Sequence, residues 1–158
     1  MPRRVDYHNA ADAPPANSIV PSVNVAVTND AGELLLIRRS DNDNWAMPGG
    51  AVDLGESLTQ AAVRETLEES GIDCEITGLS GIYTDPGHVI LYTSNGEVRQ
   101  EFSIVLTARA RGGQPRGSSE TSEVRWVPEA EVGGYQMDRS MQMRVGHYLE
   151  RRDKPVII

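Results

Sequence analysis

Val23, Val25 and Val27 alternate with small or polar neighbours, the period-two pattern of a half-buried strand. The turn cluster Asn29-Asp30-Ala31-Gly32 then leads into the unbroken apolar run Leu34-Leu35-Leu36-Ile37. This predicts a hairpin whose second strand is buried on both faces. Further along, Cys74 to Thr77 reads as a short strand, and Gly81-Ile82-Tyr83 begins another that breaks at Asp85-Pro86-Gly87. Val89 to Thr93 and Val98 to Ala108 flank Asn95-Gly96, whose Asn-Gly pair is a strong hairpin signal. Arg111 to Ser119, with three glycines and a proline, predicts a flexible loop, and Glu120 to Val127 returns as loop and strand. Pro128 opens a brief turn or helix. Met141, Val145, Tyr148 and Leu149 carry helical spacing for a closing helix from about Ser140 to Arg151. Met1 to Asn17, rich in Pro, Ala, Asn and Asp without periodicity, reads as a flexible arm, and residues 18–158 as a single domain. Strands interrupted by one central and one terminal helix predict α/β layering.

The central helix has the clearest ends. Ser57 followed by Gln60 fits a capping box, and Gly71 suits the left-handed residue just past a helix end, so Leu58 to Ser70 should be helical. At about 100° per residue, Ala62, Val63, Thr66 and Leu67 share a packing side, while Glu65, Glu68 and Glu69 crowd another arc. Between Gly50 and Asp73 six acids (Asp53, Glu56, Glu65, Glu68, Glu69 and Asp73) face one base, Arg64. Acids three and four residues apart on a helix repel by roughly 0.2–0.5 kcal/mol per pair. The crowding therefore points to a cation among them, and oxygen-only ligands favour Mg²⁺ or Mn²⁺ over zinc.

Composition narrows the function classes. The chain has 158 residues, 39% hydrophobic and 24% charged, with a formal net charge of −8. The sequence pI of about 4.8 argues against tracking a nucleic-acid polymer, which relies on a basic surface. No apolar run reaches membrane-spanning length, which argues against a membrane protein. The lone Cys74 excludes an internal disulfide, and the cytoplasm is the expected compartment.

The spacing of the acidic segment carries more. Gly50, then Glu56, Arg64-Glu65, Glu68-Glu69, Gly71 and an apolar Ile72 resemble the signature of the Nudix hydrolases, with Thr66 where the family usually has an aliphatic residue. The approach Trp45-Ala46-Met47-Pro48-Gly49-Gly50 resembles the family's W-x-x-P-G-G lead-in, and Glu120 to Trp126 resembles its acid-rich downstream stretch. These three blocks cover about a quarter of the chain.

The resemblance implies an α/β/α sandwich with a mixed sheet between helices. It also implies Mg²⁺-dependent hydrolysis of a diphosphate bond in a nucleoside diphosphate derivative, such as ADP-ribose or another nucleotide sugar, or in a modified nucleoside triphosphate. Glu65 and Glu69 would be the principal metal ligands, with Mn²⁺ a substitute ion, Glu68 a ligand directly or through water, and a carbonyl at Gly49 completing the set. Arg64 would pair with Glu56 and aim the acids. The base that activates water is either a signature glutamate such as Glu68 or a downstream acid, with Glu120 ahead of Glu123 and Glu101. Arg38 and Arg39 emerge beside the glycine turn as candidates for phosphate contact. Trp45, Tyr83 and Phe102 are the candidates for stacking a base, and His88 is the one histidine placed to matter. A homodimer is the expected association. The other class left open is a Nudix-like domain that binds a nucleotide without hydrolysing it, as a sensor; retention of Glu56, Glu65, Glu68 and Glu69 favours the enzyme.

Overall fold

The computed structural model describes residues 4–158 and builds two sheets. The larger has the order β11-β4-β3-β10-β7-β12, where β3 is Ser22–Thr28, β4 Leu34–Arg39, β7 Ile72–Tyr83, β10 Ser103–Gly113, β11 Thr121–Val127 and β12 Val156–Ile157. Two short strands, β5 (Trp45–Ala46) and β6 (Gly49–Ala51), pair with β4 and β3 respectively. β10 runs parallel to β3 and antiparallel to β7, so the sheet is mixed. The smaller sheet has the order β1-β8-β9-β2, with β1 Arg4–His8, β2 Ser18–Ile19, β8 His88–Tyr92 and β9 Glu97–Gln100.

A helix packs on each face of the large sheet. α1 (Leu58–Ser70) covers one side, where Ala61 and Ala62 meet Val23, Val25, Val27, Leu35 and Cys74. α2 (Arg139–Leu149) covers the other, where Met141, Val145 and Tyr148 meet Leu34, Leu36, Ile37 and Tyr83. Leu34 and Leu36 thus face one layer and Leu35 the other, which is why that run is apolar throughout. Each such side chain contributes roughly 1.5–3 kcal/mol on full burial.

α1 begins and ends where its caps predict. The Ser57 hydroxyl accepts from the Gln60 N–H at 3.1 Å, the Gln60 side chain accepts from the Ser57 N–H at 2.8 Å, and Gly71 sits at φ 77°. Its packing face differs from the expected one: Ala61, Ala62, Thr66 and Ser70 are buried, Val63 is half-buried and Leu67 is exposed. Small residues let the helix approach the sheet closely, and the Thr66 hydroxyl donates to the Ala62 carbonyl at 2.8 Å, so this departure from the family pattern leaves no unpaired polar group.

Four other expectations are corrected. Arg4–His8 is not part of a free arm: it pairs antiparallel with β8, Arg4 opposite Tyr92, and residues 1–3 lie outside the described residues. The alternation of Val5 and Tyr7 with Arg4, Asp6 and His8 was too short to register as a strand pattern on its own. β3 and β4 meet only at Thr28 and Leu34, then diverge to admit β6 and β5, which opens the sheet beside the glycine turn. The stretch 98–108 is two strands, because the chain leaves the small sheet at Glu101 and Phe102 before entering the large one. Conversely, residues 72–83 form one strand rather than two.

Candidate active site

The opening between β3 and β4 is filled by β6, and α1 lies across it. The Gly49 N–H donates to Glu69 Oε1 at 2.7 Å. A Cβ on Gly50 would stand 2.5 Å from the Glu65 carboxyl carbon, so only glycine lets that carboxylate lie against the main chain. Glu65, Glu69, Glu120, Arg39 and the turn Gly49 to Ala51 line one cleft of about 380 Å³.

Burial pushes the Glu69 carboxyl up to about 8; the Gly49 N–H opposes the shift and the charges of Glu65 and Glu120 add to it. Burial also raises Glu65, against the pull of Arg64. Half-buried carboxylates that resist ionising side by side are a donor set suited to a hard divalent cation, whose charge would reverse both shifts. Among the described residues, the groups here fit such an ion.

Arg64 is the hub that holds the acids in place. It donates to Glu56 at 2.6 and 2.8 Å, to Glu65 at 3.0 Å and to Glu68 at 3.2 Å. Its hydrogen bonds hold Glu56 down to about 2.

The structure separates the remaining candidates. Arg39 is in the cleft, held by Asp41 at 2.9 and 2.7 Å. Its neighbour Arg38 points the other way, as successive strand residues do, and pairs with Asp43 at 3.7 Å and Glu123 at 3.8 Å. Glu68 is apart from the cleft, 59% exposed on the far side of Arg64. Trp45 is not available for stacking a base: it is buried in the α2-side core, edge-on to Tyr135 with ring centres 5.0 Å apart. Tyr83 is likewise corrected to a core residue, 1% exposed, with its hydroxyl 2.8 Å from His147 Nδ1. Phe102, partly exposed, lines a smaller cavity of about 120 Å³ adjoining the cleft, together with Asn24 and Arg144. Of the acids other than Glu120, Glu123 is paired to Arg38 and Arg125, and Glu101 is buried.

Glu101 belongs to a charged network that strand and helix patterns did not reveal. Arg144 donates to Glu101 at 2.6 Å and to Asn24 at 2.9 Å. His88 Nδ1 is 3.6 Å from Glu101 and its Nε2 is 3.4 Å from Asp6. Burial alone would lower His88, but Asp6 and Glu101 raise it to about 9. Asp6, His8 and His88 bring ligating atoms within 4.8 Å of one another. Both Asp6 oxygens accept from Arg4, however, and both His88 nitrogens face carboxylates, which suits a protonated imidazole better than a metal ligand. One signal was available beforehand: Arg144 interrupts the apolar face of α2 between Met141, Val145 and Tyr148.

Fold and cleft together define an α/β/α hydrolase with an acidic helix facing a glycine turn. A family model for the NUDIX domain matches residues 19–148, and the chain belongs to the Nudix hydrolase family. It is 37% identical over 122 residues to a MutT-like protein of Streptomyces ambofaciens, covering 77% of this chain and 71% of that one. It is 35% identical over 104 residues to a putative 8-oxo-dGTP diphosphatase of Bacillus subtilis (strain 168), covering 65% of this chain and 62% of that protein, which is less than two thirds of its length. A Nudix hydrolase from Nitrosomonas europaea shares the fold, with a TM-score of 0.68, 20% identity, and coverage of 87% of this chain and 93% of that one. Members of the family generally use a divalent metal and act on small nucleotide-derived substrates. Among the described residues no helix is long and apolar enough to cross a membrane.

Proposed function

We propose that the cleft hydrolyses a diphosphate bond in a nucleoside diphosphate derivative, such as ADP-ribose or another nucleotide sugar, in a Mg²⁺-dependent reaction. The observation that carries this reading is the convergence of Glu65, Glu69 and Glu120 with Gly49 and Arg39 on one cleft. Modified nucleoside triphosphates form the second substrate class, favoured by the 8-oxo-dGTP diphosphatase activity for which the B. subtilis relative is named.

Glu65, Glu69 and the Gly49 carbonyl would hold the ion, and Glu68, outside the cleft, is left paired to Arg64. An ion held there, Mg²⁺ or its substitute Mn²⁺, would supply positive charge to neutralise phosphate oxygens. Glu120 accepts a proton from the attacking water and orients it toward phosphorus. Arg64 fixes the carboxylates and keeps Glu56 ionised, so the acids do not have to reorganise during the reaction. Arg39 binds a phosphate oxygen. The adjoining cavity, with Asn24, Gln100 and Phe102 in its walls, receives the nucleoside end. A cytoplasmic setting, where such nucleotides occur, goes with this reading.

The test is release of nucleoside monophosphate from a panel of nucleotide sugars, dinucleotides and modified triphosphates, with Mg²⁺ and with excess chelator. Release from none of them in Mg²⁺ sinks the proposal, and so does release at an undiminished rate in chelator. Pairing of two chains is proposed through the edge strand β12, where Ile157 is 76% exposed; sedimentation as a monomer at micromolar concentration rules it out.

A further inference from the structure

Arg4 lies outside the residues that match the family, yet its side chain lines both the acidic cleft and the cavity behind it. Strand pairing carries it there: β1 runs beside β8 with Arg4 opposite Tyr92, and Tyr92 lines the same two spaces. The side chain is held rigidly, with Nε donating to Asp6 Oδ1 at 2.8 Å and Nη2 to Asp6 Oδ2 at 3.1 Å. Asp6 is itself anchored, because His88, Glu101 and Arg144 continue the alternation of charge into the protein interior.

Arg39 repeats the arrangement from the other side of the cleft. Its Nε and Nη2 are taken by Asp41 at 2.9 and 2.7 Å. Two guanidiniums in one cleft repel each other, and each is pinned by the same edge. Among the described residues neither Nη1 has a hydrogen-bond partner, so the two remaining edges are left for an acceptor from outside the chain. A phosphate has the charge and the number of acceptor oxygens that two such edges require.

We propose that Arg4 is a substrate-binding residue, which with Arg39 clamps the phosphoryl group lying between the acids of α1 and the inner cavity. The N-terminal strand is then a working part of the active site. This rests on the diphosphate reading of the cleft. Lysine at position 4 keeps the charge and the pairing to Asp6 but lacks the second edge.

The experiment compares Arg4→Met, Arg4→Lys and the surface control Arg111→Met in the full chain. KM and kcat are measured on the nucleotide that the wild type cleaves best, and AMP and GMP are titrated calorimetrically in chelator. Arg4→Met should raise KM and weaken monophosphate binding by about 10- to 100-fold, the loss of a charge-assisted hydrogen bond, with a smaller change in kcat. Arg4→Lys should recover part of both, and Arg111→Met should match the wild type. Wild-type KM and monophosphate affinity in Arg4→Met overturn the proposal. If Arg4→Met does not fold, the same result in Arg4→Lys overturns it. Failure of the parent reading looks different: the wild type then hydrolyses no diphosphate, while the titrations still report on the clamp, and absence of monophosphate binding to the wild type removes the clamp as well.

Discussion

Two adjacent glycines of the same turn should respond to the same substitution in opposite ways. In Gly50→Ala the new Cβ would stand 2.5 Å from the carboxyl carbon of Glu65 and 2.5 and 2.8 Å from its oxygens. Ordinary contact between heavy atoms begins near about 3.5 Å, so the carboxylate has to retreat by about 1 Å. Glu65 is the far end of a flexible side chain, and turning it away costs about 0.5–1.5 kcal/mol at most. The same displacement takes it out of register with Glu69, and a misplacement of about 1 Å at a reacting centre costs about 10²-fold in rate. In Gly49→Ala the Cβ would stand 2.0 Å from the Val23 carbonyl oxygen and 3.0 Å from the Asn24 Cα, both in the backbone of β3. That backbone is hydrogen-bonded into the sheet and cannot step aside, so about 1–3 kcal/mol or more of stability is lost. Gly50→Ala should therefore melt within a few degrees of the wild type with kcat down about 10²-fold, while Gly49→Ala should melt far lower. Urea denaturation and steady-state hydrolysis with Mg²⁺ on both variants decide the matter. Full activity in Gly50→Ala, or equal destabilisation of the two, would refute the placement of Glu65 against the turn.

Three further outcomes are expected. Glu69→Gln should lower kcat by at least about 10²-fold while leaving far-UV circular dichroism unchanged; a variant as active as the wild type removes Glu69 from the chemistry. Glu120→Gln should lower kcat with little change in KM, whereas Glu123→Gln should do much less and Glu101→Gln should act through stability, by about 3–5 kcal/mol, because it leaves Arg144 and His88 facing a neutral group; a larger direct loss of kcat in a well-folded Glu101→Gln or Glu123→Gln reverses the assignment. Since the folded chain holds His88 up to about 9 against an unfolded value of about 6.5, its charged form stabilises fully below pH 6.5 and that stabilisation is lost between pH 6.5 and 9. Urea denaturation across that range should show His88 contributing a fall on the order of 1.4 kcal/mol per pH unit, so the slope in His88→Asn should be shallower by that amount, leaving the part that Glu69 contributes below pH 8; a slope unchanged in the variant assigns the titration to another group.

Local pattern determined the parts of this protein whose physics is local. The extent of α1 follows from Ser57, Gln60 and Gly71, because caps are hydrogen bonds within a few residues of the helix end. The two-faced burial of β4 follows from four apolar residues in a row, and the family follows from acids and glycines at fixed spacing along one segment. Tertiary structure alone decided which of those residues meet. Arg38 and Arg39 are equivalent in sequence, and only the pairing of β4 sets which one faces the cleft. Trp45 and Tyr83 have the chemistry for stacking a base, yet the packing of α2 against the sheet takes both into the core. The cleft position on which the role proposed for Arg4 rests is not legible in a terminal segment without periodicity, because it brings Arg4 beside Tyr92 and Glu69, each more than sixty residues away along the chain. Contacts that distant arise from sheet closure, which fixes strand neighbours through backbone hydrogen bonds that carry no mark of the side chains they bring together.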